Sequence, residues 1–405
     1  MMTDRLYYHD SFLYDFDAQV VESLTLDGKQ AVVLDRTAFY PTSGGQVFDT
    51  GRLLFNGGRE VAVTEVGDED AGRIFHFVPE ALPPGTAVHG SINAARRRDH
   101  IQQHSGQHVL SAAFIRLFNM PTVSFHMGVE SCTIDLQTNG VTPAQAEQVE
   151  RLANEIVLED RPASIRFVSL DEARTLGLRK LPQKQTGDLR LIDIQDFDLT
   201  ACGGTHVRST GQIGAILLRK IEKVKQGVRV EFVCGLRAVS TARKDYSTLT
   251  EAAGVFSAHI HDLPQQVRKT VEESKVSGKV QQKLLEEIAG LQAERLLAEA
   301  SGSPRIVARV LPERDAVFAK LLAQKLTAGA PGVIALLAVG AGQPALVFAQ
   351  SPGQKHNMGQ LMKDAMVQLG GRGGGTADLA QGGLPAGTVD LARIEKLLRD
   401  LASRL

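Results

Sequence analysis

The chain has no tryptophan, and aromatic residues make up only 5% of its 405 residues. An aromatic stacking platform for single-stranded nucleic acid is therefore not expected. Cysteine is scarce as well. Cys132, Cys202 and Cys234 are an odd number in a long chain, which argues against a disulfide framework and for a reducing compartment. No apolar run reaches the ~18 residues a membrane span requires. The opening Met-Met-Thr-Asp-Arg-Leu-Tyr-Tyr-His-Asp has neither the apolar core nor the cleavage site of a signal peptide. A cytoplasmic protein without a membrane partner is expected. An excess of either charge is also missing. With 45 basic against 46 acidic residues the net charge is −1, so any polyanion site must be a local patch.

What is present is ordinary globular composition, 43% hydrophobic and 22% charged, which excludes wholesale disorder. At roughly 150 residues per domain the length gives two to three domains. Residues 1–90 read as strand-rich: Gln30–Leu34, Val61–Val66 and Ile74–Val78 are separated by Asp-Gly, Asn-Gly-Gly and Pro-Pro-Gly turns, as in a small barrel-like β unit. Residues 91–238 read as a mixed α/β domain. A helix runs from about Asp99 to Phe118, a second starts at Thr142-Pro143 and ends near Leu158, and strands fall at Thr133–Leu136, Ile165–Val168 and Leu189–Ile194. Ile213–Lys223 and Val228–Cys234 read as a hairpin. Residues 239–302 are rich in Lys, Glu, Gln and Ala, with apolar steps of four and three through Val267, Val271, Leu284, Ile288 and Leu291 and a break at Gly278. They suit a helix lying on its own domain or a homodimer contact shared with the C-terminal region. Residues 303–405 alternate strand and helix around a glycine-rich loop, as in a small α/β domain. The fold class is thus α+β with a barrel-like start, a helical linker and a small α/β end.

The strongest chemical signal is split in two. His104-Ser-Gly-Gln-His108 places two imidazoles on one helix face, one turn apart. Cys202-Gly-Gly-Thr-His206 offers a thiolate and a third imidazole at the same interval. Such donors suit one tetrahedral Zn²⁺ per chain. His100, one turn before His104, is a rival ligand. A metalloprotease is excluded, since Ser105 stands where that motif requires glutamate. Ser105 has no base marked for it and is not expected to be a nucleophile.

A second feature is Thr37-Ala-Phe-Tyr-Pro-Thr-Ser-Gly-Gly-Gln46, a tight loop in which Thr42, Ser43 and Gln46 can supply hydrogen bonds. Phe39-Tyr-Pro with Gly44-Gly-Gln46, His104-x3-His108, Ser124-Phe-His126-Met-Gly with Thr133-Ile-Asp-Leu, and Cys202-Gly-Gly-Thr-His206 occur in that order. This set resembles the editing domain of alanyl-tRNA synthetase, above all the free-standing AlaX proteins that hydrolyse mischarged tRNA(Ala). The likeness spans about residues 1–238. The tail, with Gly370-Gly-Arg-Gly-Gly-Gly375 and Gly382-Gly383, is similar to the DHH-associated, tRNA-binding part of the synthetase, as in the long form of AlaX. One departure is Ser43, where the family carries the first glycine of Gly-Gly-Gly-Gln.

The resemblance implies an editing module over the first two domains and a zinc-dependent ester hydrolase acting on Ser-tRNA(Ala) and, second, Gly-tRNA(Ala). It implies editing without aminoacylation, for which the chain has no room. Gln46, Thr42 and His126 are assigned to catalysis and Ser43, Ser124 and Arg190 to the substrate, the family placing the Ser124–His126 loop beside the site. Phosphate contacts are expected from Arg96, Arg97 and Arg98, from Arg219 and Lys220, and from Arg372 in the C-terminal domain. Arg179, Lys180 and Lys184 add a further basic run. A non-catalytic RNA-binding protein with a structural zinc is the competing reading.

Overall fold

Alternating burial drives the first sheet. Along the strand Asp15–Leu26, Phe16, Ala18 and Val20 are buried while the residues between them face solvent, the period of a half-buried strand. The computed structural model describes residues 2–69, 72–176, 178, 188–225, 227–385 and 390–405. Within it the strands order as Arg59–Val63, Gly51–Phe55, Ala87–Ile92, Asp15–Leu26, Lys29–Leu34, Ile74–Phe77 and Glu65–Asp68. Inward-facing residues of these strands, among them Val20, Val32, Leu34, Leu53 and Ile74, form one core.

This sheet corrects the expected barrel. Its edge strands, Arg59–Val63 and Glu65–Asp68, are not paired with one another, so the sheet stays open. From sequence, the apolar run Val61–Val66 is expected as one strand. The chain instead divides it at Thr64 and spends the halves on opposite edges. Two segments joined head to tail by one residue have no turn between them and cannot form a ladder together.

Helix α1, Ala94–Phe118, follows directly. Asn93 caps it by accepting from the Arg96 N–H, and Asn119 ends it in the left-handed conformation. It packs against α2 (Pro143–Leu158) and against a four-stranded sheet of Thr122–Met127, Cys132–Leu136, Gly227–Cys234 and Ile216–Val224. Their shared core holds Val109, Leu110, Phe114, Ile134, Val230 and Phe232. Thr142 begins α2 through a capping box with Gln145, the start expected from Thr142-Pro143. After α3 (Leu170–Thr175), a three-stranded sheet of Ala163–Val168, Leu189–Ile194 and Asp198–Ala201 completes this region. The expected hairpin is present as Ile216–Val224 and Gly227–Cys234. Helix α4, Gly235–Val255, follows it.

The chain divides into two compact units, residues 1–251 and 252–405. In the second, α5 (Leu263–Glu299) passes through Gly278 without a break. One glycine costs a helix only about 1 kcal/mol, too little to end one of this length. A five-stranded sheet follows, ordered Arg305–Leu311, Val333–Val339, Ala345–Gln350, Leu379–Gly383 and Arg372–Gly375. Helix α6 (Ala316–Gly329) covers one face, and α7 (Met358–Leu369) and α8 (Leu391–Ala402) the other. Val333–Val339 is buried at every position, as a strand covered on both faces must be. The glycine-rich stretch expected as a loop contributes an edge strand instead, because Leu379–Gly383 offers it a free side to pair with. Among the described residues no helix is long and apolar enough to cross a membrane.

Candidate metal centre

Helix α1 is buried almost all round between His100 and Phe114, yet carries Gln103, His104, Ser105, Gln107, His108 and Ser111 in that stretch. Buried polar groups need partners, and here the partners make a site. His104 and His108, one turn apart, meet Cys202 and His206 so that one donor atom from each lies within 4.8 Å of the others. Cys202 Sγ is 3.5 Å from His104 Nε2 and 3.3 Å from His206 Nε2. The three histidines are buried and Cys202 is half-buried, with exposed Gly203 beside it, so the cluster meets solvent on that side.

The outer nitrogens of the imidazoles are each engaged by the protein. His104 Nδ1 lies 2.7 Å from Gln46 Oε1, His206 Nδ1 3.3 Å from Ser105 Oγ, and His108 Nδ1 3.5 Å from Asp198 Oδ2. Gln46 Oε1 also accepts from the Thr205 N–H at 3.1 Å, so the nitrogen facing it must be the protonated one, which leaves Nε2 of His104 as a lone-pair donor. Burial alone would raise the Cys202 thiol pKa, but the surrounding imidazoles outweigh it and hold it well below its ordinary value. Burial likewise keeps His206 neutral, against the pull of Cys202. A metal ion binds cysteine as its thiolate and histidine through an unprotonated ring nitrogen, and Cys202 and His206 are held toward those forms.

The loop geometry is built around close approaches. Gly45, at φ +84°, sits against the Phe125 carbonyl, where a Cβ would come within 2.4 Å of the oxygen. A Cβ on Gly204 would lie 2.1 Å from His104 Cε1. Only glycine lets these backbones reach the cluster. Arg190, itself buried, holds the Cys202 loop by donating through Nη1 to the Cys202 and Gly204 carbonyls at 2.6 and 3.0 Å. Its Nε donates to the Tyr8 carbonyl, while Nη2 finds no partner among the described residues.

The other residues singled out from sequence divide. Gln46 reaches the cluster, but both ends of its amide are spent, Nε2 on Thr205 Oγ1, so it positions His104 and does not project outward. Thr42 and Ser43 are exposed in the turn leading into it. Ser124 and His126 are not brought in. On the strand Thr122–Met127 it is Phe125 that faces His104, so its neighbours point to the opposite face. Ser124 donates there to Asp135, which also binds Arg229. His100 stays outside the cluster, 4.0 Å from Asp49.

Among the expected phosphate contacts, Arg97 is fully buried, its guanidinium donating to Asp49 and to the Ser11 and Ala38 carbonyls. It cannot meet a phosphate. Arg96 is turned onto Phe48, while Arg98 is exposed. Arg219 is paired with Asp245 and Lys220 with Glu222. Arg372 is exposed on the edge strand of the second unit. Arg179, Lys180 and Lys184 lie outside the described residues. Sequence reading missed Asp198. Its signal was parity: 198, 200 and 202 alternate onto one strand face, which puts Asp198 on the side of the ligand thiol.

Residues 189–230 match the family model described as threonyl and alanyl tRNA synthetase second additional domain, and residues 4–96 match that for class II (A) tRNA synthetases. The alanine–tRNA ligase of Pyrococcus furiosus is 34% identical over 71% of this chain and 32% of its own length. That of Archaeoglobus fulgidus is 33% identical over 94% of this chain and 42% of its own. The chain thus spans less than half the length of these ligases. The alanyl-tRNA editing protein AlaX-L of Pyrococcus horikoshii is 32% identical over 95% of both chains. With 32% identity over 95% of both proteins, this chain belongs to the family of the alanyl-tRNA editing protein AlaX-L.

Proposed function

We propose that the chain hydrolyses the ester of mischarged tRNA(Ala), removing serine first and glycine second, at a site that holds one Zn²⁺. The observation that carries this reading is the convergence of His104, His108, Cys202 and His206 in a chain alike along its whole length to an editing protein. Zinc suits a set of one thiolate and three imidazoles. When bound, it supplies a Lewis acid that orders the substrate and draws electron density from an ester carbonyl.

The chain's own residues supply the rest. Gln46, Ser105 and Asp198 fix the ring orientation of the three histidines. Arg190 holds the Cys202–Gly204 carbonyls in place, which keeps the open side of the cluster shaped. Thr42 and Ser43 present exposed hydroxyls that can hydrogen-bond a substrate. A pocket that only fills space discriminates weakly against an added hydroxyl, whereas one that hydrogen-bonds the serine hydroxyl rejects alanine far more strongly. Residues 91–238 carry the hydrolysis in this reading, and residues 303–405 contact the tRNA through a surface that includes Arg372. The helical segment 239–302 joins them and contributes to a homodimer.

The competing reading is an RNA-binding protein with a structural metal, which the four-donor set and the fully engaged Gln46 amide favour. Deacylation of Ser-tRNA(Ala) beside Ala-tRNA(Ala), by the wild type and by a Cys202→Ala, His206→Ala variant of verified fold, separates the two. Loss of serine alone, abolished in the variant, is expected. Bound zinc and bound tRNA without hydrolysis of either serine or glycine esters would leave the structural reading.

A further inference from the structure

Directly opposed residues of paired strands share a face, so rows of side chains run across a sheet. In the three-stranded sheet of the first unit, Phe167 is paired with Arg190. The next ladder runs in the register Leu191 with Ala201, continued by the Cys202 N–H bond to the Arg190 carbonyl, which sets Cys202 opposite Arg190. Phe167, Arg190 and Cys202 therefore form one row on the face that carries the ligand thiol. At a strand spacing of about 4.8 Å, the Phe167 backbone lies about 10 Å from that of Cys202.

Phe167 leaves 44% of its surface exposed, an unusual state for a phenylalanine beside a buried site. Exposed His9 lies against it, with ring centroids 5.3 Å apart and planes at 35°. Neither ring belongs to the apolar core next to this sheet. The row is held from below: Arg190 lies over the Tyr8 ring at 5.4 Å and donates to the Tyr8 carbonyl, which fixes the backbone that presents His9. Arg190 stands between Phe167 and Cys202 in the row, and its Nη2 is buried with no partner among the described residues.

We propose that Phe167 and His9 form a stacking site for a nucleobase, the 3′-terminal base of the RNA whose ester reaches the metal centre. The proposal rests on the editing reading. An ester on the last ribose is separated from its own base only by that ribose, so the base must lodge within about 10 Å of the reacting carbonyl, the two strand spacings that part Phe167 from Cys202. Every base offers a π-face, and an exposed ring at that distance answers it. The Arg190 nitrogen lies in the same row, a donor for an oxygen of the ribose or phosphate that links base and ester.

The test uses an acceptor-stem hairpin RNA ending in unpaired CCA and the same hairpin without its terminal adenosine. Binding of both is followed by fluorescence anisotropy with wild-type protein, Phe167→Ala and Phe167→Tyr. The wild type should bind the complete hairpin about 10-fold more tightly than the shortened one. Phe167→Ala should bind both alike, at the level of the shortened RNA, and Phe167→Tyr should restore the difference. In deacylation, Phe167→Ala should raise KM about 10-fold and leave kcat within about two-fold. An alanine variant that keeps the contribution of the terminal adenosine, or that loses affinity equally for both RNAs, overturns the stacking site. Binding that depends on the terminal adenosine without ester hydrolysis by the wild type overturns editing and leaves the stacking site standing. Because the ring is exposed, the alanine variant should fold, which its melting temperature checks.

Discussion

His76 is the clearest single residue at which burial has a measurable consequence. It is fully buried, its Nδ1 facing the Val32 carbonyl at 3.2 Å and its Nε2 facing Thr37 Oγ1 at 2.8 Å, while that hydroxyl accepts from the Phe39 N–H. Nδ1 must therefore carry the proton and Nε2 accept, which is the neutral ring. Burial lowers its pKa to about 4, only partly offset by the bond to Val32. The folded state then binds fewer protons than the unfolded state between pH 6.5 and 4. Stability from this group is complete above pH 6.5 and is lost as pH falls toward 4, by about 3 kcal/mol. His100, held at about 4 by burial despite Asp49, acts in the same window. Urea midpoints measured from pH 7 to 4 should fall, and His76→Gln should flatten part of that fall. At the metal centre, Asp198→Asn should weaken zinc binding about 10- to 100-fold in a chelator competition while the fold persists. Unchanged affinity would mean that Asp198 does not orient His108.

The element that decides the site is α1. Its buried face is polar because it serves two purposes, and Arg97 shows the structural one. Arg97 and Asp49 are both fully buried, and Asp49 also accepts from the Tyr40 N–H at 2.7 Å. The pair ties the start of α1 to the loop that carries Thr42, Ser43 and Gln46. Removing one partner strands the other charge, so Arg97→Met should destabilise by about 3–5 kcal/mol in a denaturant titration. From sequence Arg97 was indistinguishable from Arg96 and Arg98, since a run of three arginines says nothing of which one turns inward. By contrast the α2 start was legible, because a capping box is a local pattern. Thr142→Ala should cost about 1 kcal/mol and leave metal content unchanged.

At the scale of the whole molecule, each unit has a core of its own, which gives each the means to hold its fold. If the second unit contacts tRNA away from the ester, a fragment ending at Val255 should hydrolyse a charged acceptor-stem hairpin nearly as well as the full chain. On intact charged tRNA its KM should rise about 10-fold. Equal KM values for the two RNAs would place all recognition in the first unit.

Sequence alone determined what depends on short-range pattern. The period of apolar residues placed the helix ending at Phe118 and α2, and the spacing of His104, His108, Cys202 and His206 marked one donor set. Low aromatic content argues against an aromatic stacking platform for single strands, but says nothing of two rings brought together from distant segments. Only the tertiary structure decided that Phe167 and His9 meet, that Arg97 is buried, that Ser124 and His126 face away, and that the first sheet stays open. These outcomes turn on which faces pack against which. A sequence records alternation along a strand, but not which of the two faces the rest of the chain will cover.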